Sequence, residues 1–413
     1  MPIIAALSLL AVACSCPAPA ANEDAAAGRT SQWRQDLDVF AARFPAVHID
    51  FAKLWDRKAF DAAIGALRAN IESLSDAEIT LRLVKLVASA HVAHTRVGMA
   101  RVRQFHRLPL TFTWFSDGMA VIGAAPAYRE AIGTRVLRIG ARTPEELLPA
   151  VAPYVSYETD AGLRAGVAER LRTVEILQAV GAARADGRVD VTIAKPGGDP
   201  VTLTIGPGDA AAPALLGLYD TLHIPEPLFR KNGGRFYWYE YLADAQALYI
   251  QYATCQEDPK QPFAAFAREV FAFAESHPVK RVIVDLRFNG GGNSRVMEPL
   301  IDGFKSRPAL RSKLAALIGP ETFSSAVING LQLQQVLHAQ LLGEPASEKL
   351  NSYGEVRVFE LPNSKLQVQY STKFFRLANK AGDAVFAPRV TIARTLSDVL
   401  SGLDPVLEAA LQN

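Results

Sequence analysis

Val282-Ile283-Val284-Asp285-Leu286-Arg287-Phe288-Asn289-Gly290-Gly291-Gly292 is the stretch from which the rest of the chain can be ordered. Its first half is a β-branched, aliphatic run broken by one aspartate. Such a run reads as a strand buried on both faces, as in a parallel sheet covered by helices. Its second half ends in three glycines, which let the backbone approach another group closely and leave N–H groups able to stabilise an oxyanion. A plain strand–helix turn remains the alternative reading. The same alternation continues on either side. The pattern predicts a strand over Ala247–Tyr252, a helix over Phe263–Ser276, strands over Val279–Leu286 and Lys313–Ile318, and a helix from Phe323 to Gln340. Alternation of this kind specifies a mainly parallel α/β sheet.

Ligands gather at the carboxyl ends of strands in open α/β sheets. The glycine stretch is one such end. The other is Leu314-Ala315-Ala316-Leu317-Ile318-Gly319, which leads into Pro320-Glu321-Thr322-Phe323-Ser324-Ser325. Ser324 and Ser325 stand where a strand passes into a helix, beside unpaired N–H groups and positive potential. A serine there is placed to attack a carbonyl, with the next N–H holding the oxyanion. A helix cap by Thr322 or Ser324 is the other reading. No histidine lies nearby in sequence, and no G-x-S-x-G, H-E-x-x-H or P-loop pattern occurs.

Upstream, apolar residues at helical spacing (Leu54, Phe60, Ile64, Leu67, Ile71) and a capping box at Ser75 and Glu78 predict helices before residue 106, after a polar linker at 23–30. Short β-like runs bounded by turn residues follow: Leu110–Phe115, Met119–Ile122, Arg135–Ile139, Val189–Ile193 and Val201–Ile205. They predict an α+β module. The expected parts are a signal segment at 1–22, a helical domain at 23–106, the module at 107–210, a Pro-rich connection at 211–235 and a core at 236–413.

The 413 residues carry 44 basic and 42 acidic groups, a formal charge of +2. No domain-wide basic face points to nucleic acid or to an anionic membrane. Residues 3–14 are apolar but too short to span a bilayer, and nothing later is long enough to do so. They read as the core of a secretory signal, with Ala18-Pro19-Ala20 as a cleavage site. Cys14, after Ala11-Val12-Ala13, is the competing candidate for a lipid anchor. The expected location is therefore outside the cytoplasm: periplasmic, lipid-anchored or secreted. Of three cysteines, only Cys255 lies clear of this segment, so no disulfide framework is implied, and Cys255 reads as a buried small hydrophobe.

Together, residues 282–292, Thr322-Phe323-Ser324-Ser325-Ala326, the stretch 342–355 and Gly402-Leu403-Asp404-Pro405-Val406-Leu407 resemble the tail-specific, carboxyl-terminal-processing serine peptidases. That group is related to the repeats of the interphotoreceptor retinoid-binding protein. Ala90–Val97 is a fainter match, and residues 245–413 carry the likeness most strongly. The resemblance implies a crotonase/ClpP-like sheet-and-helix core preceded by a helical domain and a PDZ-like module. It implies Ser324 as nucleophile and Lys349, six residues after Gly343, as base. The oxyanion donors would be the N–H groups of Ser325 and of Gly291 or Gly292, with Asn289, His94, Tyr353 and Glu355 lining the site. A lysine base must be held well below its ordinary range, about 10.4, to accept a proton near neutrality. The implied reaction is peptide hydrolysis of exported polypeptides through an acyl-enzyme, without a cofactor. A catalytically inactive binding protein on the same fold and a small-molecule serine esterase or amidase are the alternatives. The chain departs from the family at Val92, Val327 and Ser347-Glu348, and a carboxylate at Glu348 would favour a charged Lys349.

Overall fold

The structure, a computed structural model, describes residues 21–99, 105–195, 197–207, 215–379 and 384–412. The expected signal segment, with Cys14, Cys16 and most of residues 1–22, lies outside the described residues.

The expected linker at 23–30 is helical instead. Helix α1 (Ala21–Val47) runs through it: its alanines and Glu23 have good helix propensity, which outweighs the single Gly28, and no proline precedes Pro45 within it. Helices α2 (Arg57–Ala69) and α3 (Asp76–Ala88) follow. Ser75 and Glu78 make both halves of the capping box that opens α3. Strands β1 (Leu110–Phe115), β2 (Gly118–Ala124), β3 (Arg135–Ile139), β4 (Val189–Ala194) and β5 (Val201–Ile205) form an antiparallel sheet in that order. Helix α4 (Asp160–Arg170) packs beside β1, the edge strand. Trp33, Phe40 and Phe44 of α1 share one apolar core with Phe112, Val121, Ile139 and Val189 of the sheet.

The second body is the predicted α/β sheet. Strands β6 (Tyr237–Leu242), β7 (Ala247–Tyr252), β8 (Arg281–Asp285), β9 (Leu314–Ile318) and β10 (Gln340–Gly343) lie in the order β10-β9-β8-β7-β6. All neighbours are parallel except β6, the antiparallel edge. On one face Ile250, Val282, Val284 and Ala316 pack against helices α5 (Phe263–Ser276) and α6 (Glu298–Lys305). On the other, Tyr249, Ile283 and Leu317 meet Val406 and Ala410. Val282, Ile283, Val284 and Leu286 are apolar on both alternating faces because both faces are covered, and only Asp285 breaks the run. The expected long helix after Phe323 is shorter. Helix α7 (Ser325–Leu331) gives way to a π-helical turn at Gln332–Val336, and His338, at φ 60°, turns the chain into β10.

The β-hairpin β11 (Asn351–Glu360) and β12 (Gln367–Arg376) links the two bodies. It leaves the α/β sheet and inserts Phe359, Val368 and Tyr370 into the core of the N-terminal helices. Arg96–Val97 pairs along β12 and brings the end of the helical segment with it. A buried ion network explains why two distant motifs come together. Arg287, 4% exposed, lies 2.7 Å from Asp285 and 2.7 Å from Asp404, and Tyr249 donates to Asp285 at 2.7 Å. A guanidinium out of water needs such planar, two-sided pairing.

Candidate active site

Strand β9 delivers Gly319–Phe323 to the carboxyl end of the sheet, and α7 begins at Ser325. Ser324, at the junction, has φ 56° and ψ −125° and makes no side-chain capping bond. A residue with a Cβ holds such a conformation only when its surroundings impose it. Thr322 is not the cap either. It is fully buried, donates to Leu286 O at 2.9 Å and accepts from Gly319 N at 3.0 Å, which braces the two strand ends against each other. Ser324 is held through its backbone instead: its N–H donates to Glu348 Oε2 at 2.5 Å.

The glycine loop runs directly against this serine. A Cβ on Gly291, whose φ is 100°, would fall 2.8 Å from Ser324 Cβ and 3.0 Å from Ser325 N. Gly292 is pressed as closely on Cys255, where a Cβ would meet the carbonyl oxygen at 2.4 Å. Ser325 Oγ donates to Gly292 O at 2.7 Å and ties loop to helix. The N–H of Gly291 donates to Asn289 Oδ1 at 2.9 Å, so one of the two glycine donors is already engaged. The N–H of Ser325 opens the first turn of α7, where donors lack intrahelical partners. Asn289 is fully buried; its side-chain amide donates to Tyr252 O at 2.8 Å and its backbone carbonyl accepts from Phe323 N at 3.0 Å. It frames the loop from within. Cys255 is buried too, its thiol pushed up to about 11 by burial.

The faint match at 90–97 brings a histidine to the same place. The His94 ring stacks on Phe323, centroids 4.4 Å apart. Its Nδ1 lies 3.4 Å from Glu348 Oε1, long for a hydrogen bond, and neither ring nitrogen has a hydrogen-bond partner among the described residues. Burial, and then the charge of Arg96, pushes His94 down to about 4, so the ring is neutral near pH 7. Glu348 is buried and pushed up to about 7 by that burial, opposed by donation from Ser352 Oγ at 2.6 Å and from Ser324 N. One buried carboxylate thus holds the backbone of the strained serine with one oxygen and approaches the imidazole with the other.

A second carboxylate stands behind it. Glu158, from the segment before α4, accepts from Ala93 N and from Lys349 N, each at 3.2 Å. It therefore bridges the residue before His94 and the residue after Glu348. Burial, and then the charge of Glu348, pushes it up to about 8. The positive charge of Lys349 acts on Glu158, and its backbone pairs with Val385. The other expected lining residues are engaged elsewhere. Tyr353 donates to Asp50 Oδ2 at 3.0 Å. Glu355 is exposed on the hairpin, at φ 52°, 3.7 Å from Lys373. Glu158 carried no sequence signal: it is one glutamate between Tyr157 and Thr159. Glu348 stood out only as a departure from the family pattern.

Among the described residues, no group of His, Cys, Asp and Glu is arranged to hold a metal ion, and no helix is long and apolar enough to cross a membrane. A cavity of about 950 Å³ is lined by Gly319, Pro320 and Glu321, shortly before Ser324 in the chain, but not by Ser324 itself. Phe112, Trp114 and Arg164 of β1 and α4 form one wall; Phe288, Pro320 and Glu321 form the other.

No protein-family model and no curated protein matches this chain. Solved structures do. Mature CPAF complexed with lactacystin is 13% identical and aligns over 93% of this chain and 97% of its own, with a TM-score of 0.61. A serine-to-alanine mutant of CPAF is 13% identical, over 90% and 95%, with a TM-score of 0.60. The photosystem II D1 C-terminal processing protease is 14% identical, over 93% and 96%, with a TM-score of 0.43. The fold is thus the mixed α/β, several-sheet fold of CPAF. The structural neighbours are proteases of the tail-specific type, the group that the sequence motifs resemble.

Proposed function

We propose that this protein is a serine peptidase in which Ser324 attacks the scissile carbonyl and His94 takes its proton. The observation that carries the reading is the strained, uncapped Ser324, its N–H held by a buried carboxylate whose other oxygen approaches His94. Fold likeness alone does not choose a chemistry, because function belongs to the site. In this reading Ser324 Oγ bonds to the carbonyl carbon while its proton passes to a neutral His94 nitrogen. The oxyanion is met by the Ser325 N–H and by the glycine loop. The leaving amine takes the proton from His94, and water hydrolyses the acyl-enzyme by the same route. Glu348 stabilises the imidazolium that forms in between.

The substrate we assign is an extended polypeptide, entering along the free edge of β1 within the 950 Å³ cavity. An edge strand beside a helix accepts a peptide by strand addition, and residues 107–210 would act as a PDZ-like reader of that kind. Export of the chain, by secretion or on a lipid at Cys14, is part of the same proposal and rests on residues 3–20.

A Ser324/Lys349 dyad is the second reading, supported by spacing from Gly343. The test compares wild type with Ser324→Ala, His94→Gln and Lys349→Met. Digestion of an unfolded polypeptide is read by mass spectrometry, and labelling by a serine-directed fluorophosphonate is read in parallel. Loss in the first two variants and retention in Lys349→Met supports the His94 reading. Loss in Lys349→Met with retention in His94→Gln moves the base to the lysine. Equal behaviour of wild type and Ser324→Ala removes the peptidase reading.

A further inference from the structure

A separate cavity of about 370 Å³ opens where the strand Arg96–Val97, the start of β12 and the end of α4 meet. Arg96, Arg107 and Arg170 line it, and Glu169 is the carboxylate among its lining residues. Among the described lining residues, three cations against one carboxylate leave a surplus of two positive charges.

These cations are poorly paired. Arg170 donates from Nε to Tyr154 O at 3.0 Å. Burial pushes its guanidinium down to about 10, with Glu169 opposing and Arg96 and Arg107 adding repulsion. Arg107 reaches Glu169 through Nη2, but its Nε is buried without a partner among the described residues. Arg172 competes for the same carboxylate, 3.2 Å from Glu169 Oε2, and its Nε is also without a partner. Glu169 is half exposed, so its compensation is weakened by water. Arg96 is exposed and donates from Nη2 to Gln369 Oε1 at 3.4 Å. The buried Arg107 Nε, left without a partner among the described residues, costs free energy that an oxyanion would recover, and forked guanidinium N–H groups match its oxygens.

We propose that this cavity binds a phosphate-type dianion through Arg96, Arg107 and Arg170. The surplus of two charges selects a doubly charged ligand over a monocarboxylate, and the fork geometry selects one with several oxygens. None of the three arginines takes part in the reaction at Ser324, so the site is a second one.

The test is calorimetric titration of the full chain at constant ionic strength, with inorganic phosphate, glycerol phosphate and acetate as probes. Arg96 is left intact, because its charge reaches His94. The variants are Arg107→Gln and the milder Arg170→Lys, each checked for fold by circular dichroism. Saturable phosphate binding, with acetate and phosphate on Arg107→Gln each weaker by about tenfold or more, is the expected result. Glycerol phosphate binding as tightly as phosphate identifies a phosphomonoester site; binding of inorganic phosphate alone identifies a free-dianion site. Acetate binding as well as phosphate, or wild-type affinity in both variants, overturns the assignment.

Discussion

Glu158→Gln isolates the most unusual electrostatic feature of the site. Glu158 joins the turn before His94 to the loop after Glu348, yet burial and the Glu348 charge push it from 4.5 to about 8. The folded protein therefore holds a proton that the unfolded chain releases at about 4.5. Stability falls as pH rises across that window, because the native state binds more protons than the unfolded one. A shift of that size corresponds to a ceiling of roughly 5 kcal/mol between pH 4.5 and pH 8, at about 1.36 kcal/mol per unit. Glutamine removes this dependence. It also offers one acceptor oxygen where glutamate offers two, so either Ala93 N or Lys349 N loses its partner. That loss costs up to about 1–3 kcal/mol, and most where the wild-type side chain is a carboxylate. The variant is thus expected to be less stable than wild type at pH 5 and more stable at pH 9. Urea unfolding followed by tryptophan fluorescence at both pH values measures the two differences. A wild-type-to-variant difference that stays constant across that range refutes the reasoning.

Activity should carry a related signature. Glu348, pushed up to about 7, becomes a carboxylate above that pH, so kcat/KM is expected to rise through pH 7 and to lose this rise in Glu348→Gln. A rise that persists in Glu348→Gln but is lost in Lys349→Met would instead favour Lys349 as base. Gly291→Ala forces a Cβ to within 2.8 Å of Ser324 Cβ at a φ of 100°. The strain is about 1–3 kcal/mol, and turnover is expected to drop far more than melting temperature. Asp404→Asn leaves Arg287 short of a buried counter-charge and is expected to destabilise by about 3–5 kcal/mol in chemical denaturation. Cys255 should resist alkylation at pH 8 in the native protein and react once unfolded, as its buried, raised thiol requires.

The parts legible in the sequence are those whose signal is local. Residues 282–286 announce a covered strand by being apolar on both alternating faces, and Ser75 with Glu78 announces a helix start. The hairpin 351–376 was not legible. Its outer half alternates with exposed residues, and its inward residues find their core on the N-terminal helices, hundreds of residues away. The helix after Ser324 was read too long because nothing local marks the π-helical turn or the left-handed His338.

The sequence by itself determined the covered parallel sheet, the glycine loop at one strand end and the serine at the next. These depend on periodicity and residue type over a few positions. Only the tertiary structure decided what surrounds Ser324. It brought His94 from the helical segment, Glu158 from the segment before α4 and Glu348 from the loop after β10 to one buried point. No spacing in the chain encodes that meeting. It follows from strand β12 pairing with Arg96–Val97, and from the cost of leaving carboxylates and backbone N–H groups out of water without partners.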